Sequence, residues 1–90
     1  MMARTLLKGL EIDCPTTTGT ATSFTQATVV RLVNTSSGDA LVTLVESQSG
    51  TPLGSFTMIE NTVEYLEKNP TECIFASDSD VKGAKVGFTG

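Results

Sequence analysis

The sequence predicts an all-β chain: a small β-sandwich or jelly-roll-like domain of six to seven strands with one short helical turn. Three observations lead there. Threonine and valine are abundant while runs of Ala, Leu, Glu and Lys are missing. β-branched side chains fit a pleated, half-buried surface and lose rotamer freedom in a helix. Short apolar runs alternate with clusters of Gly, Ser, Asn and Pro, and turn signals return roughly every ten residues, the spacing of sandwiches and small barrels.

Residues 6–13 form the first expected strand, with Leu6, Lys8 and Leu10 on one side. Residues 14–26 are polar with a single anchor, Phe24, and read as a long loop or arm, although Phe24 is also placed to open a strand. Residues 27–34, Ala-Thr-Val-Val-Arg-Leu-Val-Asn, carry apolar side chains on both faces, which suits a central place in a sheet. Ser36-Ser37-Gly38-Asp39 is turn chemistry, and residues 40–46 are the next strand, so the two runs read as a hairpin. A second turn around Gly50 leads to residues 53–59, where Phe56 and Met58 alternate with Ser55 and Thr57. Glu60-Asn61 is a two-residue reversal before residues 62–68, where Val63 and Tyr65 lie opposite Glu64 and Leu66.

Asn69-Pro70-Thr71-Glu72 has the form of a capping box: an Asn cap, Pro at the first helical position and Glu three residues after the cap. The apolar run Cys73-Ile74-Phe75-Ala76 follows at once, so the segment reads as one helical turn leading into a strand. Asp78-Ser79-Asp80 is a loop, and residues 81–88 close the domain with Ala84, Val86 and Phe88 on one face. Gly83 and Gly87 weaken the other face as a packing surface.

With 90 residues the chain is one domain spanning residues 1–90, of which residues 1–25 are expected to be partly an extended arm or loop. A chain this short has a thin core. The net charge is −4 and the pI about 4.5. The six cations, Arg4, Lys8, Arg31, Lys68, Lys82 and Lys85, are scattered, which argues against nucleic-acid or membrane-surface binding. The opening Met1-Met2-Ala3-Arg4-Thr5-Leu6-Leu7-Lys8 is too short in apolar residues for a signal peptide, and no stretch reaches the ~20 apolar residues of a spanning helix. A soluble protein made in a cytosol is expected. Cys14 and Cys73 then read as unlinked thiols filling the core, with a long-range bridge as the minority alternative.

Candidate chemistry is sparse. The chain has no histidine, which removes Ser-His-Asp and Cys-His catalysis and histidine-ligated metals. Glu60, Glu64, Glu67 and Glu72 cluster in sequence and admit a glycosidase-like carboxylate pair, but a solvated strand edge is the better reading. Asp78-Ser79-Asp80 opens like a calcium loop but lacks the central Gly and closing Glu. Phe24, Phe56, Tyr65, Phe75 and Phe88 are able to stack on sugars, yet their alternating positions favour core packing for most of them. Tyr65, whose hydroxyl tolerates water, is the first to examine for exposure. No catalytic, cofactor-binding or metal-binding residue is assigned, no cofactor is expected, and binding or assembly is favoured over enzymatic activity.

Three segments carry a family resemblance: Ala-Thr-Val-Val-Arg-Leu-Val-Asn; Gly54-Ser-Phe-Thr-Met-Ile-Glu-Asn-Thr-Val-Glu-Tyr-Leu-Glu-Lys-Asn-Pro-Thr-Glu-Cys-Ile-Phe-Ala-Ser77; and Val-Lys-Gly-Ala-Lys-Val-Gly-Phe-Thr. In this pattern an apolar strand is followed by Lys68, Pro70 and Glu72, then Ile74 and Phe75, then Ala76 and Ser77, and a closing strand over residues 81–89. It resembles a group of small virion structural proteins of tailed bacteriophages, including phages of marine cyanobacteria, over about two-thirds of the chain. Cys73 and residues 1–25 have no counterpart in it. The resemblance implies a β-sandwich that decorates or joins parts of a particle: a capsid decoration (cement) or minor head protein, located in the virion and assembled in the host cytoplasm. Its implied partners are other virion proteins, the major capsid protein first, and copies of itself. A tail, neck or fibre-associated subunit is the alternative, and a carbohydrate- or host-binding β module is the alternative of another class.

Overall fold

The computed structural model describes residues 4–89; the expectation for Met1, Met2 and Ala3 as part of an arm lies outside them. Eight strands form two antiparallel sheets: β1 Arg4–Leu7, β2 Ile12–Asp13, β3 Val29–Asn34, β4 Ala40–Val45, β5 Pro52–Met58, β6 Val63–Glu67, β7 Cys73–Ala76 and β8 Val81–Thr89. One sheet has the order β1-β8-β3-β6, with β2 also paired to β8; the other has the order β5-β4-β7. Both β3 and β4 are central strands, as their two apolar faces require.

The count rises to eight because the first expected strand is broken. Arg4–Leu7 pairs with the C-terminal end of β8 and Ile12–Asp13 with its start, so residues 8–11 interrupt one edge. The second sheet gains a fragment at its β7 edge, where Thr22 forms an isolated bridge to Ile74. With Thr22 standing where a fourth strand would lie, the chain order is that of a jelly roll. A core of Val30, Leu32 and Val81 from one sheet meets Ala40, Val42, Met58, Ile74 and Ala76 from the other.

Two expected hairpins are not formed. β3 pairs with β6 and β8, and β4 with β5 and β7, so the turn after β3 carries the chain from one sheet to the other. The Glu60-Asn61 reversal does the same between β5 and β6. Among the described strands only β4 and β5 make a sequential hairpin. The reason lies at Asn34, which is fully buried. Its side-chain amide donates to the carbonyls of Gly38 (3.0 Å) and Met58 (2.9 Å), and its carbonyl oxygen accepts from the Ser36 N–H (2.9 Å) and hydroxyl (2.6 Å). Its backbone pairs with Asn61 and Thr62. One side chain thus ties both crossovers together, and a buried amide so fully paired offsets its desolvation.

The helical turn is also relocated. A single 3-10 turn forms at Thr18–Thr20, whereas residues 69–72 make a tight turn closed by the Glu72 N–H on the Asn69 carbonyl (3.0 Å). Half of the capping box is present: Glu72 reaches back to the Asn69 N–H at 2.8 Å. The Asn69 amide, expected to accept a backbone N–H, instead donates to the Glu72 carboxylate at 3.2 Å. Cys73 begins β7 directly, and its ladder with Val45 leaves no residues for a helix.

Candidate functional site

Residues 14–26 close one flank of the sandwich. Cys14, Ala21 and Phe24 are buried. Cys14 donates its N–H to the Val81 carbonyl (2.8 Å), Pro15 accepts from Ala76 (2.9 Å), and Thr22 and Ile74 exchange two bonds (3.1 and 2.8 Å). Phe24 seats its ring against Gly83, where an added Cβ would lie 2.7 Å from the ring. Gly83 therefore does not weaken the inner face; its missing side chain is the space that Phe24 fills. Burial pushes the Cys14 thiol up to about 12, with the neighbouring Asp13 charge adding to it. Cys14 and Cys73 are both free thiols and belong to separate packed clusters.

The segment is strained at its end. Phe24, Thr25 and Gln26 have φ of 52°, 57° and 56°, one turn of left-handed backbone, which costs roughly 1–2 kcal/mol per residue for side chains with a Cβ. The turn is closed by the Ala27 N–H on the Ser23 carbonyl (3.1 Å), and Lys85 donates its ammonium to the Thr25 carbonyl (3.0 Å). Beside it lies a groove of about 290 Å³ walled by Leu10, Ile12, Thr22, Phe24, Thr25 and Lys85.

The larger candidate is the outer face of the first sheet. The strand registers place Val29, Arg31 and Val33 of β3 beside Val63, Tyr65 and Glu67 of β6 on one side, and Lys82 and Ala84 of β8 on the other. Phe88 and Leu7 extend the same face. Ala84 and Val86 are buried on it, yet Leu7 is 80% exposed, Phe88 48%, Tyr65 46% and Val63 40%. The Tyr65 and Phe88 rings lie 5.4 Å apart at 57°. A polar contact with Thr5, and then the Arg31 guanidinium, draw the Tyr65 hydroxyl below its usual pKa. Two ion pairs interrupt the apolar area: Arg31, between Tyr65 and Ala84 on the central strand, pairs with Glu11 (3.6 Å), and Lys82 pairs with Asp13 (2.6 Å).

Tyr65 is thus exposed, and Phe24 is a core residue. Phe56 and Phe75 are half-buried. Phe88, expected to pack inside with Ala84 and Val86, instead lies on the outside. Ala84 and Val86, which share its face, are buried there, while Phe24 and Lys8 lie over Gly83 and Gly87 on the opposite face. Glu64 and Glu67 point to opposite faces of β6, and no group of three metal-ligating side chains gathers among the described residues. Asp78 accepts from the Asp80 N–H (2.8 Å), an ordinary local turn bond. Lys68, unforeseen as a buried residue, sets its ammonium against the carbonyls of Asn69 (3.2 Å) and Pro70 (3.3 Å), and burial lowers its pKa. Nothing in the alternation of residues 62–68 signals this burial.

No protein-family model, curated protein or solved structure matches the chain.

Proposed function

We propose that this protein is a structural virion component of a tailed phage, a capsid decoration or minor head protein that acts by protein–protein assembly. A tail, neck or fibre-associated position is a variant of the same role. The observation that carries the reading is the outer face of the first sheet, where Leu7, Val63, Tyr65 and Phe88 stand in solvent over a buried layer. Exposed apolar side chains grouped on one sheet face, with the Arg31–Glu11 and Lys82–Asp13 ion pairs among them, suit a surface that docks on another protein. The jelly-roll arrangement recurs in viral capsid and lectin domains, an analogy of fold that adds weight without assigning a role. The partner that fits is the major capsid protein, with copies of this chain around it.

Mass spectrometry of purified particles should find the chain, and purified chain should bind particles that lack it. Tyr65→Ala with Phe88→Ala should abolish that binding while the melting temperature stays close to that of the native chain. Absence from particles together with no binding to them would remove the reading.

A carbohydrate-binding module is the second reading, favoured by the exposure of Tyr65 and Phe88 at one place. The rings stand at 57°, so a sugar lies flat on one of them only. Oligosaccharide titration that shifts the NMR signals of these two rings and no others would support it over assembly.

A further inference from the structure

We infer that β5 is a pairing edge, and that its occupant is β5 of a second copy, joined antiparallel about a two-fold axis through Phe56. The inference stands apart from the virion reading, because it concerns the purified chain alone.

The four lateral edges of the sandwich differ. The β1/β2 edge is broken at residues 8–11 and carries Lys8, Glu11 and Asp13. The β7 edge is occupied by Thr22 and Pro15. The β6 edge carries Glu64 and Glu67, and Glu64 lies on the inner face opposite Leu32. Charges on edge strands, inward-pointing ones included, are how sheets prevent unwanted pairing. On β5 such devices are confined to its start, where Pro52 and a register shift at Leu53 lie; from Gly54 to Met58 it has none, and the chain carries no charge between Glu46 and Glu60.

The direction of its unused groups follows from the neighbouring strand. Leu41 of β4 donates its N–H to the Ser77 hydroxyl (2.9 Å) and accepts at its carbonyl from the Ser77 N–H (2.8 Å), so its backbone faces β7. Its β5 partner is Thr57, and two residues on Thr43 pairs with Ser55. In an antiparallel ladder both groups of one residue point the same way and alternate along the strand. Ser55 and Thr57 therefore direct N–H and C=O away from β4. Apart from the β4 ladder, no hydrogen bond is made by residues 53–57 among the described residues.

The regular part of β5 runs from Gly54 to Met58, since the register shifts next to Leu44 and Val45. That part is symmetric about Phe56, with the open residues Ser55 and Thr57 on either side. A two-fold axis there sets Ser55 against Thr57 of the partner subunit twice over, each pair exchanging two N–H···O=C bonds. Phe56 meets Phe56 of the partner subunit in the closer, non-bonded pair, an aromatic contact that sheets favour. Gly54 faces Met58 of the partner subunit, and nothing lies within 4 Å of where its Cβ would be. Phe56 is only half-buried at this flank, and pairing covers its ring. The product is one continuous six-stranded sheet.

Light scattering across a dilution series should give twice the chain mass, falling to the chain mass on dilution. Hydrogen exchange should show the amides of Ser55 and Thr57 protected in the concentrated sample and released on dilution. The amides of residues 54 and 56 should stay protected throughout by β4. Thr57→Pro deletes an outward N–H without touching the β4 ladder, and Ser55→Lys with Thr57→Lys places like charges opposite each other; both should be monomeric. Phe56→Cys should form an intermolecular disulfide on oxidation. A chain that is monomeric at every concentration overturns the inference, as does a dimer whose Ser55 and Thr57 amides exchange freely. Protection of those amides only when phage particles are added would also overturn it, naming a different strand donor. Should a variant fail to fold, exchange on the native chain decides.

Discussion

The two flanks of this sandwich solve the same problem in opposite ways. On one, residues 14–26 fold over the edges of β2 and β7, bury Cys14, Ala21 and Phe24, and hold Phe24 to Gln26 in left-handed backbone. On the other, β5 and β6 have no such cover, and Phe56 and Leu66 pack against the core only in part. The closed flank achieves burial at the expense of local strain. The open flank confines positive φ to single residues in the turns around β5, Ser49 and Asn61, and leaves main-chain groups and apolar surface for a partner. In a domain of this size a closed flank on both sides would demand a second long loop, so a half-open sandwich is suited to completion by assembly.

The widest difference should appear on cutting back the two phenylalanines. Phe24→Ala removes a fully packed ring and should destabilise by ~3–5 kcal/mol in urea denaturation. Phe56→Ala, measured at a concentration where the chain is monomeric, should cost roughly 1–2 kcal/mol, about half the value of a fully buried side chain. Equal losses would mean that the flanks are equally closed.

A smaller effect is read from pH. The Cys14 thiol has its pKa raised by burial from the usual 9.0 to about 12. The unfolded chain therefore loses its proton first. The stabilisation is fully present below the usual value and is lost as pH rises toward the folded one. Stability should fall by ~1.4 kcal/mol per pH unit in that window, beyond any fall seen in Cys14→Ala. Identical alkaline slopes in the two proteins would show that Cys14 is not held inside the closed flank.

The smallest effect has an unusual sign. Thr25 is exposed at φ 57°, a conformation costly for a β-branched residue and free of penalty for glycine. Thr25→Gly should stabilise by ~0.5–1 kcal/mol after the larger chain entropy of glycine is counted, raising the midpoint by several degrees. On the open flank Asn61 sits at φ 62°, but asparagine tolerates that region, so Asn61→Gly should change stability by less than ~0.5 kcal/mol. A lower midpoint for Thr25→Gly would place the strain elsewhere.

The strands were legible because alternation and turn residues are local. The runs over residues 40–46, 53–59 and 62–68 coincide with β4, β5 and β6 to within one or two residues. The connections were not legible. Ser36-Ser37-Gly38-Asp39 reports that the chain reverses direction, and a hairpin and a crossover between sheets both reverse it. Asn34 separates the two outcomes, by bonds to Gly38 four residues away and to Met58, twenty-four residues away. The candidate site was legible in one residue only. Tyr65 announced itself by a polar tip on an alternating strand, whereas Phe88 looks like a core residue until Phe24 is seen to occupy the face opposite it.

What the sequence alone determined, then, is the all-β class, the positions of the strands from β3 onward, the central place of β3, and the absence of histidine chemistry, because each follows from side-chain type and spacing. What only the tertiary structure decided is which sheet each strand joins, which face of β8 is inside, and which edges stay open. Those depend on contacts between residues far apart in the chain, Phe24 on Gly83 and Asn34 on Met58. A period-two pattern is unchanged when a strand is turned over, so only such contacts distinguish its two faces.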